Sequence, residues 1–258
     1  MFGVTFLISL ALGQARVNES SVAYSANVSF PTNYYGVDVS QSYGTSTFKC
    51  LKEQNLLFAI IRCYRSIGSV DPACAGSAAA ANAAGLDVHA YMFPCPKCGD
   101  PAGQVASLVK YWVWYAVCEC VHAMVRPQHR NFNLHIWLQN THSVNVKRLW
   151  LDIEGSQYWT GNHDSNQAFY KGLIDACSKS GLVCGVYSSA SQWEPIFGSR
   201  SFSYGSNLPL WYAQYDGKPS FSGWAQFGGW QSPAMKQFTD RGTKCSCSYD
   251  ISWSPSLP

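Results

Sequence analysis

Six short apolar segments alternate with helical or irregular stretches along this chain, and this alternation constrains the fold more than any other feature. Each segment has the four to eight residues of a typical strand, and the segments are rich in β-branched and aromatic residues, as expected of strands. They lie at residues 34–39, 57–63, 88–93, 146–153, 182–187 and 208–215. Strands that alternate with helices predict parallel βα units, and about 240 residues suit one closed α/β barrel better than an open sheet.

Three helices are predicted between these strands. Residues 73–84 are dense in alanine and stop at Gly85, and a second helix begins at Asp100-Pro101 with Val105, Leu108 and Val109 on one face. The third is capped by Asp164 or Ser165 and ends at Gly181. No glycine-rich phosphate-binding motif follows any strand, so the sequence gives no support to nucleotide binding.

The amino-terminal residues predict export. Residues 1–15 have the apolar run and small terminal residues of a signal peptide, and residues 16–33 form a polar leader with glycosylation patterns at Asn18 and Asn27. The 11 cysteines fit an oxidising compartment, and their odd number leaves at least one thiol unpaired. We therefore predict a secreted, extracellular protein. A net charge of +3 without a basic cluster argues against a nucleic-acid partner, and no later apolar stretch is long enough to span a membrane.

Residues 111–145 do not fit the alternating pattern, since they show no clear helical or strand period. About 60 residues separate Phe93 from Asp152, roughly twice the 30 or so that a βα crossover needs. We interpret residues 111–145 as an atypical insertion in a barrel domain of residues 34–258, or as sequence foreign to the natural mature protein. The set Cys118, Cys120, His122 and His129 matches no standard zinc spacing, and we predict no metal.

The segment LWLDIEG, residues 149–155, carries the strongest chemical signal. In a strand, alternate side chains share a face, so Asp152 and Glu154 point together while Leu151 and Ile153 point to the other side. The two acids end the strand just before a glycine, and active sites of α/β barrels are built at that edge. Two close, partly buried acids raise each other's pKa, which keeps one of them protonated and able to act as a general acid.

Two further aspartates occur in similar settings. Asp38 lies at the end of the first apolar segment, in GVDVS, and Asp250 lies in the short apolar run YDIS near the carboxyl terminus. Four acids at strand ends fit carbohydrate or metal chemistry, although each aspartate alone could also cap a helix or a turn. The aromatic content of 15% is compatible with stacking on sugar rings and equally with packing in the core.

The ordered segments GVDVS, LDIE, GVYS, LWYAQY and YDI together resemble glycoside hydrolase family 25, the muramidases, in its invertebrate lysozyme branch. The resemblance covers about residues 34–252 apart from 111–145. It implies an α/β fold with a single irregular (β/α), TIM-like barrel. It also implies that Glu154 is the general acid/base and that Asp152 stabilises the cationic centre or an N-acetyl group acting as nucleophile. Asp38 and Asp250 would line the same pocket as further members of the catalytic set.

The resemblance also places Tyr91, Tyr187 and Trp211 around the bound sugar. One position departs from the family pattern: many members carry an acid near the end of the second strand, where this chain has Arg65. A catalytic or binding role for that strand is therefore not predicted.

The function implied is that of a secreted lysozyme, a glycosidase that cuts the β-1,4 bond between N-acetylmuramic acid and N-acetylglucosamine in bacterial peptidoglycan. It would act in innate defence or digestion, as a monomer without a cofactor. One alternative is an inactive carbohydrate-binding or signalling protein on the same barrel. Another is a chitinase, although Trp150 stands where the chitinase signature has an earlier aspartate.

Overall fold

A computed structural model describes residues 33–124 and 145–258, without the side chains of 113–124 and of position 241. Its sheet closes on itself, because β1 pairs with β2 as well as with β9. Around the barrel the order is β1, β9, β8, β7, β6, β5, β4, β2, and β3 extends from β2. The strands are β1 (Tyr34–Val39), β2 (Phe58–Arg65), β3 (Ser69–Val70), β4 (Asp87–Met92), β5 (Val146–Asp152), β6 (Cys184–Ser188), β7 (Leu210–Ala213), β8 (Met235–Gly242) and β9 (Tyr249–Ser254). The predicted α/β barrel is confirmed.

The barrel is mixed rather than wholly parallel. The strand β9 runs antiparallel to both of its neighbours, β1 and β8, whereas β1, β2, β4, β5, β6, β7 and β8 follow one another in parallel. The alternation of segments predicted parallel units and did not predict β8. Because β9 is reversed, it brings its amino end, with Asp250, to the edge where the parallel strands have their carboxyl ends.

Helices follow most of the parallel strands. They are α1 (Thr45–Glu53), α2 (Cys74–Ala83), α3 (Pro101–Met124), α4 (His163–Lys179) and α5 (Ala190–Phe197), with short 3-10 helices at Pro96–Cys98, Ser156–Tyr158 and Lys244–Ser246. The sequence did not predict α1 or α5. The predicted cap of α4, Asp164 or Ser165, was wrong, since Asn162 is the N-cap and its side chain accepts a hydrogen bond from the backbone N–H of Ser165 at 2.8 Å.

The atypical stretch begins as helix. Helix α3 continues to Met124, so residues 111–124 extend the predicted helix instead of starting an irregular loop. The rest of the stretch, residues 125–144, lies outside the described residues, as do the predicted signal peptide, the predicted leader up to residue 32 and both glycosylation patterns. Among the described residues, no helix is long and apolar enough to cross a membrane.

Two apolar layers result from the alternation of side chains along the strands. On β5, Leu149 and Leu151 pack outward against the helices, and Trp150 packs inside the barrel. Glycines make room for the large interior rings: a Cβ on Gly36 would lie 2.2 Å from the ring of Phe58, and one on Gly185 would lie 2.4 Å from the ring of Trp150. The filled interior forms a solid base below the carboxyl edge.

Four disulfides are formed among the described residues. They join Cys50 to Cys245, Cys63 to Cys74, Cys95 to Cys98, and Cys177 to Cys184. The thiol of Cys247 is buried and unpaired. The disulfide between Cys50 and Cys245 spans 195 positions and ties α1 to the segment just before β9.

Candidate active site

All seven residues predicted for the site meet in one cavity at the carboxyl edge of the barrel. The cavity has a volume of about 100 Å³. It is lined by Asp38, Tyr91, Asp152, Glu154, Tyr187, Trp211, Tyr215, Gln237 and Asp250. The structure therefore brings the predicted acids and aromatic residues together, while the catalytic and substrate-binding roles assigned to them remain predictions.

The two outer aspartates owe their proximity to strand register. Asp38 on β1 stands directly opposite Asp250 on β9 in the antiparallel ladder. Residues that are opposite in such a pair have Cβ atoms about 4.5–5.5 Å apart, and like charges placed there are destabilising. A cross-strand pair of this kind is retained at a stability cost, which is typical of a functional site.

The backbone around Glu154 is fixed by its neighbours. The N–H of Ile153 donates to the carbonyl of Tyr187 at 2.9 Å, which extends the β5–β6 ladder one residue past Asp152. The carbonyl of Glu154 accepts from the indole N–H of Trp159 at 3.0 Å, and the N–H of Gly155 donates to the side chain of Gln192 at 2.8 Å. Gly155 then turns the chain with a φ of 63°. These contacts hold the carboxyl group of Glu154 over the cavity.

Asp152 is the most deeply placed acid of the central pair. It is 4% exposed, and its Oδ1 has no hydrogen-bond partner among the described residues. Burial, followed by the charges of Glu154 and Asp38, raises the pKa of Asp152 well above its usual value. The guanidinium of Arg62 acts in the opposite direction. An unpartnered carboxylate oxygen at this depth is costly unless a ligand or a proton satisfies it.

Glu154 combines a perturbed pKa with access to solvent. Burial, and then the charge of Asp250, raises the pKa of Glu154, yet its side chain is only partly buried. A second cavity of about 360 Å³ shares Glu154, Tyr187 and Tyr215 with the first. Glu154 thus lies where the acid cavity meets a wider one, so that a proton on its carboxyl group is within reach of a bound molecule.

The outer aspartates are perturbed as well. Burial and the charge of Asp250 raise the pKa of Asp38 well above its ordinary value, and a hydrogen bond from Gln237 partly offsets this rise. Burial, helped by Asp240, raises the pKa of Asp250 to about 6. Burial also raises the pKa values of the Tyr91 and Tyr187 hydroxyls, which stay neutral near pH 7.

Sequence reasoning missed three residues that act on the site. Gln237 on β8 donates from its Nε2 to Asp38 at 2.8 Å and to Asp250 at 3.2 Å. Its Oε1 accepts from the hydroxyls of Tyr187 at 2.7 Å and Tyr215 at 2.8 Å. The third is Arg62, whose charge lowers the pKa of Asp152. Neither glutamine nor tyrosine carries a charge that would single it out, although Tyr215 closes the LWYAQY segment that the resemblance used.

The second strand supplies no acid to the cavity. Arg62 forms an ion pair with Asp71, with 2.7 Å between Nε and Oδ2, and its charge reaches Asp152. Arg65, the position that departs from the family pattern, donates to the hydroxyl of Ser69 at 2.9 Å. The contribution of β2 to the site is therefore electrostatic, through Arg62.

Trp211 lies deeper in the barrel than a ring that stacks on a bound sugar would lie. It is 2% exposed, its indole N–H donates to the hydroxyl of Ser252 at 2.9 Å, and its ring meets that of Tyr187 with centroids 4.5 Å apart. Trp211 forms the floor of the cavity and supports Tyr187.

No group of three or more His, Cys, Asp or Glu side chains suited to hold a metal ion occurs among the side chains that the structure describes. The set Cys118, Cys120, His122 and His129 falls outside those side chains. Of the four acids in the cavity, Asp38 and Asp250 accept hydrogen bonds from Gln237.

A closed β/α barrel whose carboxyl edge carries an acid pair of raised pKa, two further carboxyl groups and a ring of tyrosines has the groups that a glycoside hydrolase requires. The family model described as Lysozyme-like protein 1 matches residues 30–117 and 114–238. The chain is 41% identical over 221 residues to Probable GH family 25 lysozyme 2 of Dictyostelium discoideum, covering 85% of this chain and 90% of the relative. It belongs to the glycoside hydrolase family 25 lysozymes, which confirms the resemblance in the sequence.

Further relatives agree with this assignment. Lysozyme-like protein 5 of Caenorhabditis elegans is 34% identical over 224 residues, which cover 85% of this chain and 91% of the relative. A family GH25 lysozyme from Aspergillus fumigatus shares the fold with a TM-score of 0.62 at 18% identity, over 88% of this chain and 95% of that one. Another relative, 28% identical over 220 residues that cover 84% of this chain and 64% of the relative, is named Counting factor 50 of Dictyostelium discoideum.

Proposed function

We propose that this glycoside hydrolase is an N-acetylmuramidase that cleaves the β-1,4 bond between N-acetylmuramic acid and N-acetylglucosamine in bacterial peptidoglycan. The observation that carries the proposal is the meeting of Asp38, Asp152, Glu154 and Asp250 in one cavity that opens beside Glu154 into a wider one. Solved relatives of the same fold include proteins titled as muramidases.

Glu154 serves as the general acid in this mechanism. Its raised pKa favours the protonated form, and its partial exposure lets it reach the glycosidic oxygen of a bound glycan. It donates its proton to the leaving oxygen, and as a carboxylate it then takes a proton from the attacking water. Glu154 serves both steps, because its carboxyl group must regain its proton before the next catalytic cycle.

Asp152 stabilises the positive charge that forms on the sugar ring, or the substrate's own N-acetyl group when that group attacks. This second route is an exception to the scheme with two catalytic carboxylates. It suits Asp152, because its Oδ1 lies buried without a partner and can accept a hydrogen bond from an amide N–H. Asp38 and Asp250 orient the substrate and add negative potential around the cationic centre.

A second candidate is a carbohydrate-binding or signalling protein that keeps the acids without hydrolysis. The relative named Counting factor 50 supports this second candidate, because its name does not describe a hydrolase. A third is the hydrolysis of chitin, which would use the same N-acetyl chemistry. All three predict sugar binding, and they differ in the bond that is broken.

The test is to add the purified protein to a bacterial wall suspension and to measure turbidity and new reducing ends. We expect lysis by the wild type and a loss of about 10²–10⁴-fold in rate for Glu154→Gln, as for the removal of a general acid. The matched control is Glu53→Gln, which changes an exposed glutamate at the end of α1 and should leave the rate unchanged.

Binding of peptidoglycan without new reducing ends would support the non-hydrolytic alternative and contradict the proposal. Cleavage of chitin oligomers in preference to wall glycan would support the chitinase alternative. Folding of Glu154→Gln is checked by the denaturant midpoint, since a loss of activity through unfolding would lower it.

We also propose that the protein is exported, with residues 1–15 as its signal peptide, and that it acts as a monomer on bacterial walls in defence or digestion. The four disulfides of the described residues support export, because such bonds persist in oxidising compartments. Amino-terminal sequencing of protein collected from the medium of expressing cells tests this. A mature chain that still begins at Met1, or one retained in the cells, would contradict it.

A further inference from the structure

Gln237 occupies the centre of the polar network in the acid cavity. Its side chain is almost fully buried, at 2% exposed, and it lies on β8, where the sequence predicted no strand. A primary amide has two N–H donors and a carbonyl oxygen with two lone pairs. The structure pairs each of these with a side chain of the cavity, two carboxyl groups and two phenols.

The orientation of this amide follows from its neighbours. Turning it over would bring the carbonyl oxygen against oxygens of Asp38 and Asp250, which as carboxylates can only accept. In the orientation present, the N–H groups face the two aspartates, and Tyr187 and Tyr215 donate to the carbonyl oxygen. The hydroxyls of Tyr187 and Tyr215 lie 3.2 Å apart, and since both donate to Gln237, both have lone pairs left to accept from a ligand.

This arrangement has a consequence for where protons reside. An N–H donor stabilises an ionised carboxylate and gives nothing to a carboxyl oxygen that carries a proton on the side facing it. Asp38 and Asp250 are both subject to effects that favour protonation, burial first in each case. Gln237 works against that tendency at both groups through one rigid amide.

We propose that Gln237 is a positioning residue that keeps Asp38 and Asp250 ionised and confines the exchangeable proton of the site to the pair Asp152 and Glu154. It would act through the aspartates without touching the scissile bond. In the muramidase proposed above, on which this inference rests, it would separate two acceptors that bind substrate from the acid that donates a proton. It would also fix the two phenols as acceptors toward the glycan.

Two variants test the role of Gln237. Gln237→Leu removes both donors, so we expect the acid limb of the kcat/KM profile to move up by about one pH unit, the size of a lost hydrogen bond to a charged group. Gln237→Glu keeps the shape of the side chain. At neutral pH its carboxylate would face two others, so kcat should fall about tenfold or more, and it should recover as pH is lowered and the new group gains a proton.

The matched control is Gln104→Leu. Gln104 is also buried, at 5% exposed, and its amide donates to the carbonyls of Cys95 at 2.9 Å and Gly99 at 2.7 Å. Among the described residues, its side chain forms hydrogen bonds with backbone groups and with no carboxylate. We expect this variant to lose stability and to keep the wild-type pH profile.

A second measurement does not depend on hydrolysis. Carbon-13 NMR titration of the aspartate and glutamate carboxyl groups should show the transitions of Asp38 and Asp250 at higher pH in Gln237→Leu than in the wild type or in Gln104→Leu. If the wild type does not hydrolyse peptidoglycan and these transitions still move, the proposed function fails and the role of Gln237 stands.

Two results would overturn the inference. One is a Gln237→Leu variant whose carboxyl transitions match those of the wild type. The other is a Gln237→Glu variant whose activity, relative to wild type, is equally low at acid and neutral pH, since that pattern indicates a purely structural loss. Gln237→Glu keeps the inference testable even where Gln237→Leu does not fold, because its protonated form has the shape of glutamine and one donor.

Discussion

Replacing Asp250 with asparagine is expected to stabilise the folded protein near neutral pH while it lowers hydrolytic activity. Burial and the nearby Asp240 raise the pKa of Asp250 from 3.8 to about 6. A carboxyl group whose pKa is higher in the folded state binds more protons there than in the unfolded chain, so stability falls as pH rises through the interval between the two pKa values. Above about pH 6 the folded state carries the whole cost of the charge.

The size of that cost follows from the shift. A change of about two pKa units corresponds to about 3 kcal/mol, and because Asp250 is partly exposed we reduce this by half, to about 1.5 kcal/mol. Asparagine removes the charge and keeps an oxygen that can accept the hydrogen bond from Gln237. We therefore expect Asp250→Asn to gain about 1.5 kcal/mol near pH 7 and less than about 0.5 kcal/mol near pH 4.

Urea denaturation of wild type and Asp250→Asn at both pH values measures the effect through the midpoint and slope. The buried His89, whose pKa burial lowers to about 4, makes both proteins less stable as pH falls through the same interval, so its contribution cancels in the difference between them. A gain that is equal at pH 7 and pH 4, or no gain at pH 7, would refute the electrostatic reasoning. Activity retained in full would show that Asp250 is not needed for hydrolysis.

Two further predictions concern the frame around the site. The fully buried Nζ of Lys236 pairs with Asp216 at 2.8 Å. Asp216→Ala should therefore cost about 3 kcal/mol of stability, because it leaves a buried ammonium without its partner, whereas Lys236→Met leaves only a solvated acid and should cost about 1 kcal/mol. Equal costs of the two variants in urea denaturation would contradict this prediction. Replacing the disulfide Cys50–Cys245, which spans 195 positions, with serines should cost about 5 kcal/mol, against about 2 kcal/mol for Cys95–Cys98, which spans 3. The denaturant midpoints of the two double variants measure these losses of stability. A similar loss in both variants would show that loop entropy does not govern the contribution of these disulfides.

The sequence predicts this fold where each strand has its own apolar signal. The residues of β1 and β5 are apolar enough for both strands to be predicted without knowledge of the neighbouring strands. On β5, side chains alternate, so that Trp150 points into the barrel and Leu151 points outward. By contrast, β8 reads MKQFTDRG, in which Lys236 and Gln237 are buried polar residues with partners far along the chain. A strand that buries paired polar groups on both of its faces has no local apolar pattern, so its prediction requires tertiary information.

The same reasoning explains which parts of the site could be predicted. Asp152 and Glu154 can be predicted because they form an acid pair at the end of an apolar strand, and Asp38 occurs in a similar setting. The register that sets Asp250 opposite Asp38 depends on β9 running antiparallel to its neighbours, which the alternation of strands and helices does not encode. The depth of Trp211 depends on how the barrel closes around Tyr187 and Ser252.

Charge alone therefore gives an incomplete description of this cavity. Four acids in so small a volume repel one another when ionised, which favours the protonated form of each. The structure distributes the available compensation unevenly: Arg62 acts on Asp152, and the neutral amide of Gln237 serves Asp38 and Asp250. Neither Asp152 nor Glu154 accepts a hydrogen bond from a side chain among these contacts, and Glu154 is the more exposed of the two, so it is the member of the pair that can pass a proton to a bound molecule.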